Sequence, residues 1–590
     1  MTMAAGLTRV THRLPGWLTV ILGLLCVGLG AVVISRPATS LGLLVLLTGL
    51  GFLLAGALGI IAAGRAPRRG PAVALGAVWG LVGIVVLVWP GITTVALAVV
   101  VGMALVVWGA VSALSALSEG TADERLAGAA LGVASIVFGV LALLWPDVTL
   151  LLVGVVFGGW LILQGLAAVW GALRPRPGPS DSAERGRPGR WLAVLGSVVA
   201  LIVAGGAAVT SWTLRGGTPE IDGFYVAPRE VPAEPGVLLR AEPFARGVPE
   251  TGRAWRILYT TTRDDATAAV ASGIVVVPAS GTGPWPVINL AHGTTGFASA
   301  CAPSLAGEPF EAGAFFILDT TLEQGWAVVA SDYVGLGTEG PHPYLVGEPT
   351  GRSVLDASRA ARQLDGAHLG DQNVVWGHSQ GGGAALWTGG IASRYAADLT
   401  IDGVAALAPA ADLPALVENL PAVTGGSVFA SFVLAAYTAV YPDVDFADYV
   451  QPAARVVVRE MGRRCLAEPG VLVSVLNALA LTRDPLVFAA DPGSGPLGAR
   501  LAENVPTLPI PAPLLIAHGE SDSLIDVGSQ DHYVEARCAA GQQVDYRRYP
   551  GRDHIALVEP DSPLIPDLVA WTRDRFAGEP VAAGCVGSRR

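Results

Sequence analysis

The hydrophobic positions follow different patterns in the two halves of the chain. Up to about residue 214, long apolar runs follow one another with short polar breaks between them. A helix needs roughly 20 apolar residues to cross the hydrocarbon core of a bilayer, and each run is about that long. The first half therefore predicts an all-α membrane domain over 1–214 with seven transmembrane helices. They cover residues 15–35, 41–63, 71–89, 91–117, 126–145, 148–173 and 191–214.

An internal repeat relates these spans to one another. Pro37, Pro90 and Pro146 each lie between two apolar runs, in the segments SRPATSLG, VWPGITT and LWPDVTL. Proline is tolerated in the first turn of a helix, so each segment fits the corner of a helical hairpin. We expect three repeated helical hairpins and a seventh, single span. The repeat resembles the HdeD-like family of bacterial membrane proteins, which are associated with acid resistance.

The arginines predict how this domain crosses the membrane. Cytoplasmic loops carry an excess of Arg and Lys, and here only Arg36 lies on the opposite set of short loops. We therefore expect a multi-pass plasma-membrane protein whose N-terminus is cytoplasmic. An odd number of spans then places everything after Leu214 outside the cytoplasm. The arginines on the cytoplasmic set of ends and loops are Arg9, Arg13, Arg65, Arg68, Arg69, Arg125, Arg174, Arg176, Arg185, Arg187 and Arg190.

The middles of the predicted spans contain no Asp, Glu, Lys or Arg. Ionisable residues inside a membrane usually mark a transport path, so this composition argues against a pump or an ion carrier. We expect the first half to act as an anchor or scaffold.

After residue 214 short apolar segments alternate with helical periodicity, which is typical of a mostly parallel sheet covered by helices. We expect a linker and entry segment over 215–250, followed by an α/β domain over 251–590. Apolar and amphipathic helices interrupt the alternation over about 412–500. This insertion predicts a helical cap over a binding site, and ordinary core helices are the alternative. The predicted strands are 255–262, 271–279, 286–293, 326–333, 373–379, 401–409, 513–519 and 544–551, and the predicted helices between them include 350–364 and 380–396.

The charge and the sequence motifs exclude some classes of function, and the cysteines indicate where disulfides can form. The formal net charge of −11 and the lack of a basic stripe argue against nucleic acid as a partner. Zinc-type ligand spacing, a Walker loop and a dinucleotide fingerprint do not occur in a suitable context, so we expect no cofactor and no metal. Four cysteines lie in the polar half, where three disulfide pairings are open in an oxidising compartment. They are Cys301, Cys465, Cys538 and Cys585, whereas Cys26 lies in an apolar run.

The strongest candidate for chemistry is the segment Gly377-His378-Ser379-Gln380-Gly381. It follows a predicted apolar strand and precedes a predicted helix, which is the context of a nucleophile elbow. Glycines on both sides suit a cramped turn, and the start of a helix favours developing negative charge. We therefore expect Ser379 to be the nucleophile of an α/β-hydrolase fold.

A serine nucleophile needs a general base and an acid that orients the base, and in this fold the acid precedes the histidine along the chain. Asp522 and His554 each follow the end of a predicted strand. We expect Asp522 to orient His554, and His554 to take the proton from Ser379. Asp526 and Asp553 are the competing acids.

The segment HGTTG at 292–296 follows a predicted strand at the point where this fold supplies backbone N–H groups to an oxyanion. We expect Thr294 to provide one donor, with Thr295 as the next candidate, and Gln380 to provide the other. A plain glycine-rich turn is the alternative. The remaining histidines are interpreted as strand-end, loop or surface residues, with His342 in a loop or on the surface.

Four segments together resemble the secretory-lipase family of α/β-hydrolases, and the resemblance covers about residues 225–575. The segments are HGTTGFASACAPS at 292–304, SDYVGLGTEGPHPYLVGEPTGRSVLDASRAAR at 331–362, GHSQGG at 377–382 and YPGRDH at 549–554.

The family resemblance implies that the triad named above hydrolyses acyl esters. It also implies one disulfide between Cys301 and Cys465, and a second between Cys538 and Cys585. Members of this family are usually secreted, whereas this chain carries seven predicted spans. That difference argues against a role in digesting distant lipid.

The sequence thus predicts a membrane-anchored, extracytoplasmic serine ester hydrolase, either a lipase or a carboxylesterase, that acts on lipid or another acyl ester. An envelope-lipid acyltransferase would need the same triad, and a peptidase can share the fold. A non-enzymatic alternative is a stress-response membrane protein whose hydrolase-like half is a binding module. The presence of all three triad candidates in the expected order favours the enzyme. The oligomeric state is unknown from the sequence.

Overall fold

The computed structural model describes most of the chain, which divides into two compact units. The described residues are 16–36, parts of 42–60, 69–88, 90–117, 121–173, 188–481, 488–581 and 584–589. The first unit comprises Met1–Gly216 together with Val450–Val457 and Leu479–Ala489, and the second comprises Gly217–Tyr449, Val458–Ala478 and Ala490–Arg590.

Long apolar helices make up the described part of Met1–Gly216. Five of the predicted spans are confirmed as helices long and apolar enough to cross a membrane, by length and composition. The predicted span 71–89 corresponds to a helix whose apolar part is Ala77–Val88, and the predicted span 41–63 lies largely outside the described residues. The helices are α1 (Gly16–Ser35), α2 (Arg69–Val88), α3 (Pro90–Ser115), α4 (Ala122–Leu144), α5 (Pro146–Leu173) and α6 (Pro188–Arg215).

The helix ends follow local sequence signals. Pro90 and Pro146 are the first residues of α3 and α5, where a missing N–H leaves no hydrogen bond unmade. The helix α4 begins after Thr121, whose backbone N–H donates to the Glu124 side chain at 2.9 Å. That contact satisfies one donor at the helix start.

Glycine pairs set the packing of four of these helices, α1 against α5 and α3 against α4. A Cβ built on Gly23 would lie 2.7 Å from the Gly165 carbonyl oxygen, and one built on Gly30 would lie 2.5 Å from that of Gly158. In the same way, Gly102 meets Gly139 and Gly109 meets Gly132, with corresponding distances of 3.0 and 2.6 Å. Small residues permit this close approach of two backbones.

This pairing differs from the expected hairpins. The helices on either side of Pro90, and those on either side of Pro146, make few contacts with each other. Two glycines seven residues apart face the same way after about two helical turns, so each glycine pair selects a partner helix. Hydropathy predicted the helices that the structure describes here, but it did not identify their partners.

The second unit contains a ten-stranded sheet in the order β1-β2-β3-β5-β4-β6-β7-β8-β9-β10. The first three strand pairings in this order are antiparallel and the others are parallel. The strands are β1 (Leu238–Phe244), β2 (Gly252–Thr262), β3 (Ala268–Pro278), β4 (Trp285–Ala291), β5 (Ala327–Ser331), β6 (Leu369–His378), β7 (Gly403–Leu407), β8 (Leu514–Gly519), β9 (Val544–Tyr549) and β10 (Cys585–Arg589).

All eight predicted strands are present, and two edge strands were not predicted. The strand β1 pairs with β2 and lies inside the segment 215–250 that was interpreted as a linker and entry segment, so the sheet begins before residue 251. The strand β10 pairs in parallel with β9 at the other edge.

Helices cover both faces of the sheet, which explains why its central strands are apolar on both sides. Successive residues of β6 point to opposite faces. Trp376 packs in one core with Leu568 of the C-terminal helix, and Val375 packs in another core with Leu386 of the helix that follows β6. The helices outside the β7–β8 interval are α7 (Pro309–Ala312), α8 (Leu318–Glu323), α9 (Gly347–Ala361), α10 (Gln380–Tyr395), α17 (Val527–Ala539) and α18 (Leu564–Phe576).

Among the described residues between β7 and β8 there are six further helices, in the range where the sequence predicts an insertion. Asp412 begins the first of them by accepting a hydrogen bond from the Ala415 N–H at 3.2 Å. These helices are α11 (Leu413–Asn419), α12 (Gly426–Val440), α13 (Phe446–Tyr449), α14 (Arg455–Gly462), α15 (Val471–Leu481) and α16 (Gly495–Glu503).

Candidate active site

Ser379 lies in a sharp turn between β6, which ends at His378, and α10, which begins at Gln380. Its backbone has φ 60° and ψ −120°, a conformation that non-glycine residues rarely adopt. A Cβ on Gly377 would lie 1.9 Å from the Gly381 carbonyl oxygen, so the two ends of the turn touch. The segment therefore has the geometry of a nucleophile elbow, with the serine at the start of a helix.

The structure brings the three predicted triad residues together. His554 Nε2 lies 2.8 Å from Ser379 Oγ, and His554 Nδ1 lies 2.6 Å from Asp522 Oδ2. Asp522 follows β8 and His554 follows β9, so neighbouring parallel strands deliver both side chains to the same edge of the sheet.

Asp522 is held as a charged carboxylate by its surroundings. Its Oδ1 accepts hydrogen bonds from the N–H groups of Leu524 and Ile525, each at 2.9 Å. Burial acts to raise the pKa of this carboxyl group, but the contact with His554 and these backbone bonds outweigh it and hold the pKa below its usual value. Asp522 is therefore suited to keep the Nδ1 proton on His554.

The two competing acids make other contacts. Asp526 begins α17 and accepts the Ser529 N–H at 3.0 Å. Asp553 accepts the N–H groups of Ile555 and Ala556, at 3.1 and 2.8 Å. Both carboxylates satisfy local backbone donors, and only Asp522 of the three acids contacts His554.

The predicted oxyanion segment lies directly against the elbow. A Cβ on Gly381 would lie 2.0 Å from the Ala291 carbonyl oxygen and 2.7 Å from that of His292. Gln380, at the first position of α10, directly follows Ser379, and Thr294 lines the same pocket as Ser379. Their role as oxyanion donors stays a prediction.

Two histidines have buried roles that the sequence did not reveal. His342 lies in a loop, which was one of its two predicted places, but it is not at the surface, because the ring is fully buried and burial lowers its pKa to about 3. Its Nδ1 donates to the Val334 carbonyl at 3.3 Å, so Nε2 accepts from the Gln380 side-chain amide at 3.0 Å. His378 donates through Nε2 to the carbonyl of His554 at 2.9 Å. In the sequence, the signal for the buried role of His378 is its position next to the predicted nucleophile, Ser379.

A pocket of about 530 Å³ opens onto Ser379 and His554. Its apolar wall includes side chains from the helical insertion, Phe429 and Leu466 among them. The described residues that line it include two exposed acids and no Arg or Lys. A larger hollow of about 640 Å³ lies at the opposite ends of β8 and β9, away from the triad. The smaller pocket is the one that can hold a substrate at the serine.

Two disulfides support this part of the chain. One joins Cys301 to Cys465, and thus links the segment after HGTTG to the helical insertion. The other joins Cys538, in α17, to Cys585 at the start of β10. Among the described residues, one group has metal-ligand spacing, but it consists of Cys301, Cys465 and Glu468, and its two sulfurs are bonded to each other.

A strand–elbow–helix serine beside a histidine and a carboxylate, on a mostly parallel sheet, defines a serine hydrolase of the α/β type. The secretory lipase family model matches residues 310–584. A model described as a short repeat of unknown function, DUF308, matches residues 21–85, 74–126 and 130–210. These matches confirm both resemblances predicted from the sequence: the second half is a serine ester hydrolase that is similar to the secretory lipases, and the first half is similar to the HdeD-like repeat proteins.

Individual proteins agree with these matches. Lipase A of Moesziomyces aphidis is 25% identical over 360 residues, which cover 57% of this chain and 76% of the relative. Secreted triacylglycerol lipase LIP7 of Malassezia globosa is 26% identical over 428 residues, which cover 67% of this chain and 87% of the relative. The crystal structure of Candida antarctica lipase A shares the fold, with a TM-score of 0.50 and 20% identity over 63% of this chain and 90% of that chain.

Proposed function

We propose that this protein is a membrane-anchored, extracytoplasmic serine ester hydrolase that cleaves lipid-like acyl esters. The observation that carries the proposal is the chain of contacts from Ser379 Oγ to His554 at 2.8 Å and from His554 to Asp522 at 2.6 Å, beside an apolar-walled pocket. A nucleophile, its base and the group that orients the base are thus within hydrogen-bond reach of one another.

The reaction has two halves. Ser379 Oγ attacks the ester carbonyl carbon while His554 Nε2 takes the hydroxyl proton, and N–H groups at Thr294 and Gln380 stabilise the oxyanion. The oxyanion collapses, the C–O bond of the ester breaks, and His554 returns the proton to the leaving alcohol. A water molecule then attacks the acyl-enzyme carbonyl carbon while His554 takes its proton. The second tetrahedral intermediate collapses, the bond to Ser379 Oγ breaks, the acid leaves, and His554 returns the proton to Ser379.

The pocket supports an apolar acyl group and an uncharged ester. Phe316, Phe429 and Leu524 supply apolar surface, which binds hydrocarbon by removing it from water. Glu308 and Glu311 line the same pocket and are exposed, so a negatively charged substrate would be repelled there. The relatives named as triacylglycerol lipases support a neutral lipid ester as the substrate.

The location outside the cytoplasm has two independent supports. The arginine distribution favours a cytoplasmic N-terminus, and an odd number of spans, seven in the proposal, then places the second half outside the cytoplasm. Two disulfides in that half fit an oxidising compartment. The helices of Met1–Gly216 would hold the hydrolase at the membrane surface.

The activity is tested with the full chain purified in detergent and a chain-length series of p-nitrophenyl esters. We expect hydrolysis by the wild type and by Ser431→Ala, a matched loss of a buried hydroxyl that bonds to the Val428 carbonyl in α12. We expect none above background from Ser379→Ala. Equal activity of Ser379→Ala and the wild type would refute the assigned nucleophile, whereas alcohol-dependent ester synthesis without net hydrolysis would favour an acyltransferase.

The topology is tested with two reporter fusions in bacterial cells. Alkaline phosphatase fused after Arg215 should be active, because it folds only outside the cytoplasm. Green fluorescent protein fused after Leu173 should fluoresce, because it folds only inside. The opposite pair of results would overturn the orientation and leave the esterase assay unaffected.

A further inference from the structure

Thr294 and Tyr344 form a hydroxyl pair at the edge of the active-site pocket. Thr294 Oγ1 lies 3.0 Å from the Tyr344 hydroxyl oxygen. Thr294 is partly exposed and lines the pocket with Ser379 and His554. Tyr344 is buried behind it, with its ring against Phe432 of α12. The pair thus connects the protein interior to the place where an ester would bind.

The direction of this hydrogen bond follows from the partners of each hydroxyl group. Burial raises the pKa of Tyr344, so its hydroxyl group keeps its proton at all ordinary pH values. Within the described part of the chain, Thr294 is the hydrogen-bond partner of that hydroxyl. If Thr294 were the donor, the Tyr344 proton would be buried without an acceptor, which is strongly unfavourable. Tyr344 therefore donates, and the Thr294 proton is free to bond elsewhere.

The open side of Thr294 is the pocket. The start of α10 lies against the carbonyl groups of Ala291 and His292, so the segment that carries Thr294 passes beside the elbow. Both Thr294 and Ser379 line the pocket where the ester carbonyl must be placed. A hydroxyl proton on that wall can therefore be directed into the pocket that holds Ser379.

We propose that the Thr294 hydroxyl group is a catalytic donor to the oxyanion, and that Tyr344 is a positioning residue that orients and polarises it. The inference rests on the proposed ester hydrolysis and adds a side-chain donor to the two backbone N–H groups. When the carbonyl carbon becomes tetrahedral, the Thr294 O–H donates to the oxyanion, and no bond of Thr294 is made or broken. The bond received from Tyr344 strengthens that donation, because linked hydrogen bonds polarise one another.

The test measures kcat and KM of the full chain for four variants. Thr294→Val keeps the shape and removes the hydroxyl group, so kcat should fall by about 100-fold with little change in KM, as for loss of one oxyanion donor. Thr294→Ser should recover most of the activity. Tyr344→Phe should lower kcat by a smaller factor, and it should have no further effect in the Thr294→Val background, because it acts through Thr294.

A second readout is the affinity for a boronic acid that forms a tetrahedral adduct with serine. Its affinity should fall in parallel with kcat/KM across the variants, since both report the oxyanion. Thr321→Val and Tyr533→Phe are matched controls that remove buried hydroxyl groups bonded to the carbonyls of Ile317 and Pro506. Both should keep wild-type kcat.

Three outcomes would overturn the inference. Wild-type kcat in a folded Thr294→Val protein would exclude the catalytic donor, while Ser379→Ala stays inactive and the proposed function stands. Independent, multiplying effects of Thr294→Val and Tyr344→Phe would exclude the positioning role. Activity in Ser379→Ala would refute the proposed function itself, and this inference with it.

Discussion

Replacing Asp522 with asparagine tests how His554 is oriented. In the structure, Asp522 Oδ1 accepts the N–H groups of Leu524 and Ile525, and Oδ2 accepts from His554 Nδ1. An asparagine has one oxygen and one NH2 group at these two positions. Two backbone donors hold the oxygen at the Oδ1 place, so the NH2 group must face His554.

That NH2 group reverses the hydrogen bond. His554 Nδ1 then accepts instead of donating, its proton moves to Nε2, and Nε2 presents a hydrogen to Ser379 instead of a lone pair. A histidine in this tautomer cannot take the serine proton. In a serine triad the loss of the correct tautomer with intact geometry lowers kcat by about 10⁴. At 1.36 kcal/mol for each factor of ten, this is about 5 kcal/mol of transition-state stabilisation.

Asp522→Ala separates orientation from stability. It loses the same contact with His554, so kcat should fall about equally, but it also leaves two backbone N–H groups without their acceptor. Each such bond contributes about 1 kcal/mol, so Asp522→Ala should be about 2 kcal/mol less stable than Asp522→Asn.

The stability of the wild type should also depend on this carboxylate. Because its pKa is lowered in the fold, it contributes stability above the unfolded value near 3.9, and the contribution is lost as the pH falls through the lower, folded value. Asp522→Asn has no such titration, so the stability difference between the wild type and this variant should shrink below about pH 4.

The assay is p-nitrophenyl ester hydrolysis at saturating substrate, with thermal unfolding of the detergent-purified chain at neutral and acid pH. Asp526→Asn is the control, because asparagine begins a helix as well as aspartate does and Asp526 makes no contact with His554. A kcat of Asp522→Asn above one tenth of the wild-type value would refute the reasoning about the tautomer.

Of three further predictions, two concern stability and one concerns turnover. Replacing Cys301 and Cys465 by serine opens a loop of 164 residues, so thermal unfolding under oxidising conditions should show a loss of up to about 5 kcal/mol on the chain-entropy estimate, and no loss would refute it. Thr572→Val removes the acceptor of the buried Trp376 indole N–H, 3.0 Å away, and should lower the free energy of unfolding by about 1–3 kcal/mol, whereas an unchanged melting curve would mean that the indole finds another acceptor. Gly381→Ala would place a Cβ 2.0 Å from a β4 carbonyl oxygen, so it should abolish ester hydrolysis in a correctly inserted protein, and wild-type turnover would contradict the tight turn.

The triad geometry could be anticipated because its signals are local. The glycines around Ser379 and the strand before it specify the elbow, and parallel strands bring Asp522 and His554 to the same edge. The burial of His342 could not be predicted from such local signals. His342 lies in a loop between Pro341 and Pro343, and its buried ring accepts a hydrogen bond from Gln380, which is 38 residues away along the chain.

The two edge strands of the sheet could not be predicted from the sequence for related reasons. The strand β1 contains Pro243 and is half exposed, and β10 reads CVGSR, so neither has the apolar alternation that marks a strand. Their positions depend on partners, β2 for one and the Cys538–Cys585 bond beside β9 for the other. Whether such a short edge segment forms a strand is determined by its tertiary contacts rather than by the intrinsic β-propensity of its residues.

The glycine pairs of the first unit determine the order in which its helices can pack while the protein is being synthesised. A chain emerges N-terminus first, at about 5–20 residues each second. The helix α3 meets α4 almost as soon as both exist, but Gly23 of α1 has to wait for Gly165 of α5. The contact between α1 and α5 can therefore form only after Gly165 has been made, when α6 and the catalytic half are still to be synthesised. The N-terminal helix must stay without this partner while about 130 residues of chain are added, so the close glycine contact is a late step in the packing of the helices.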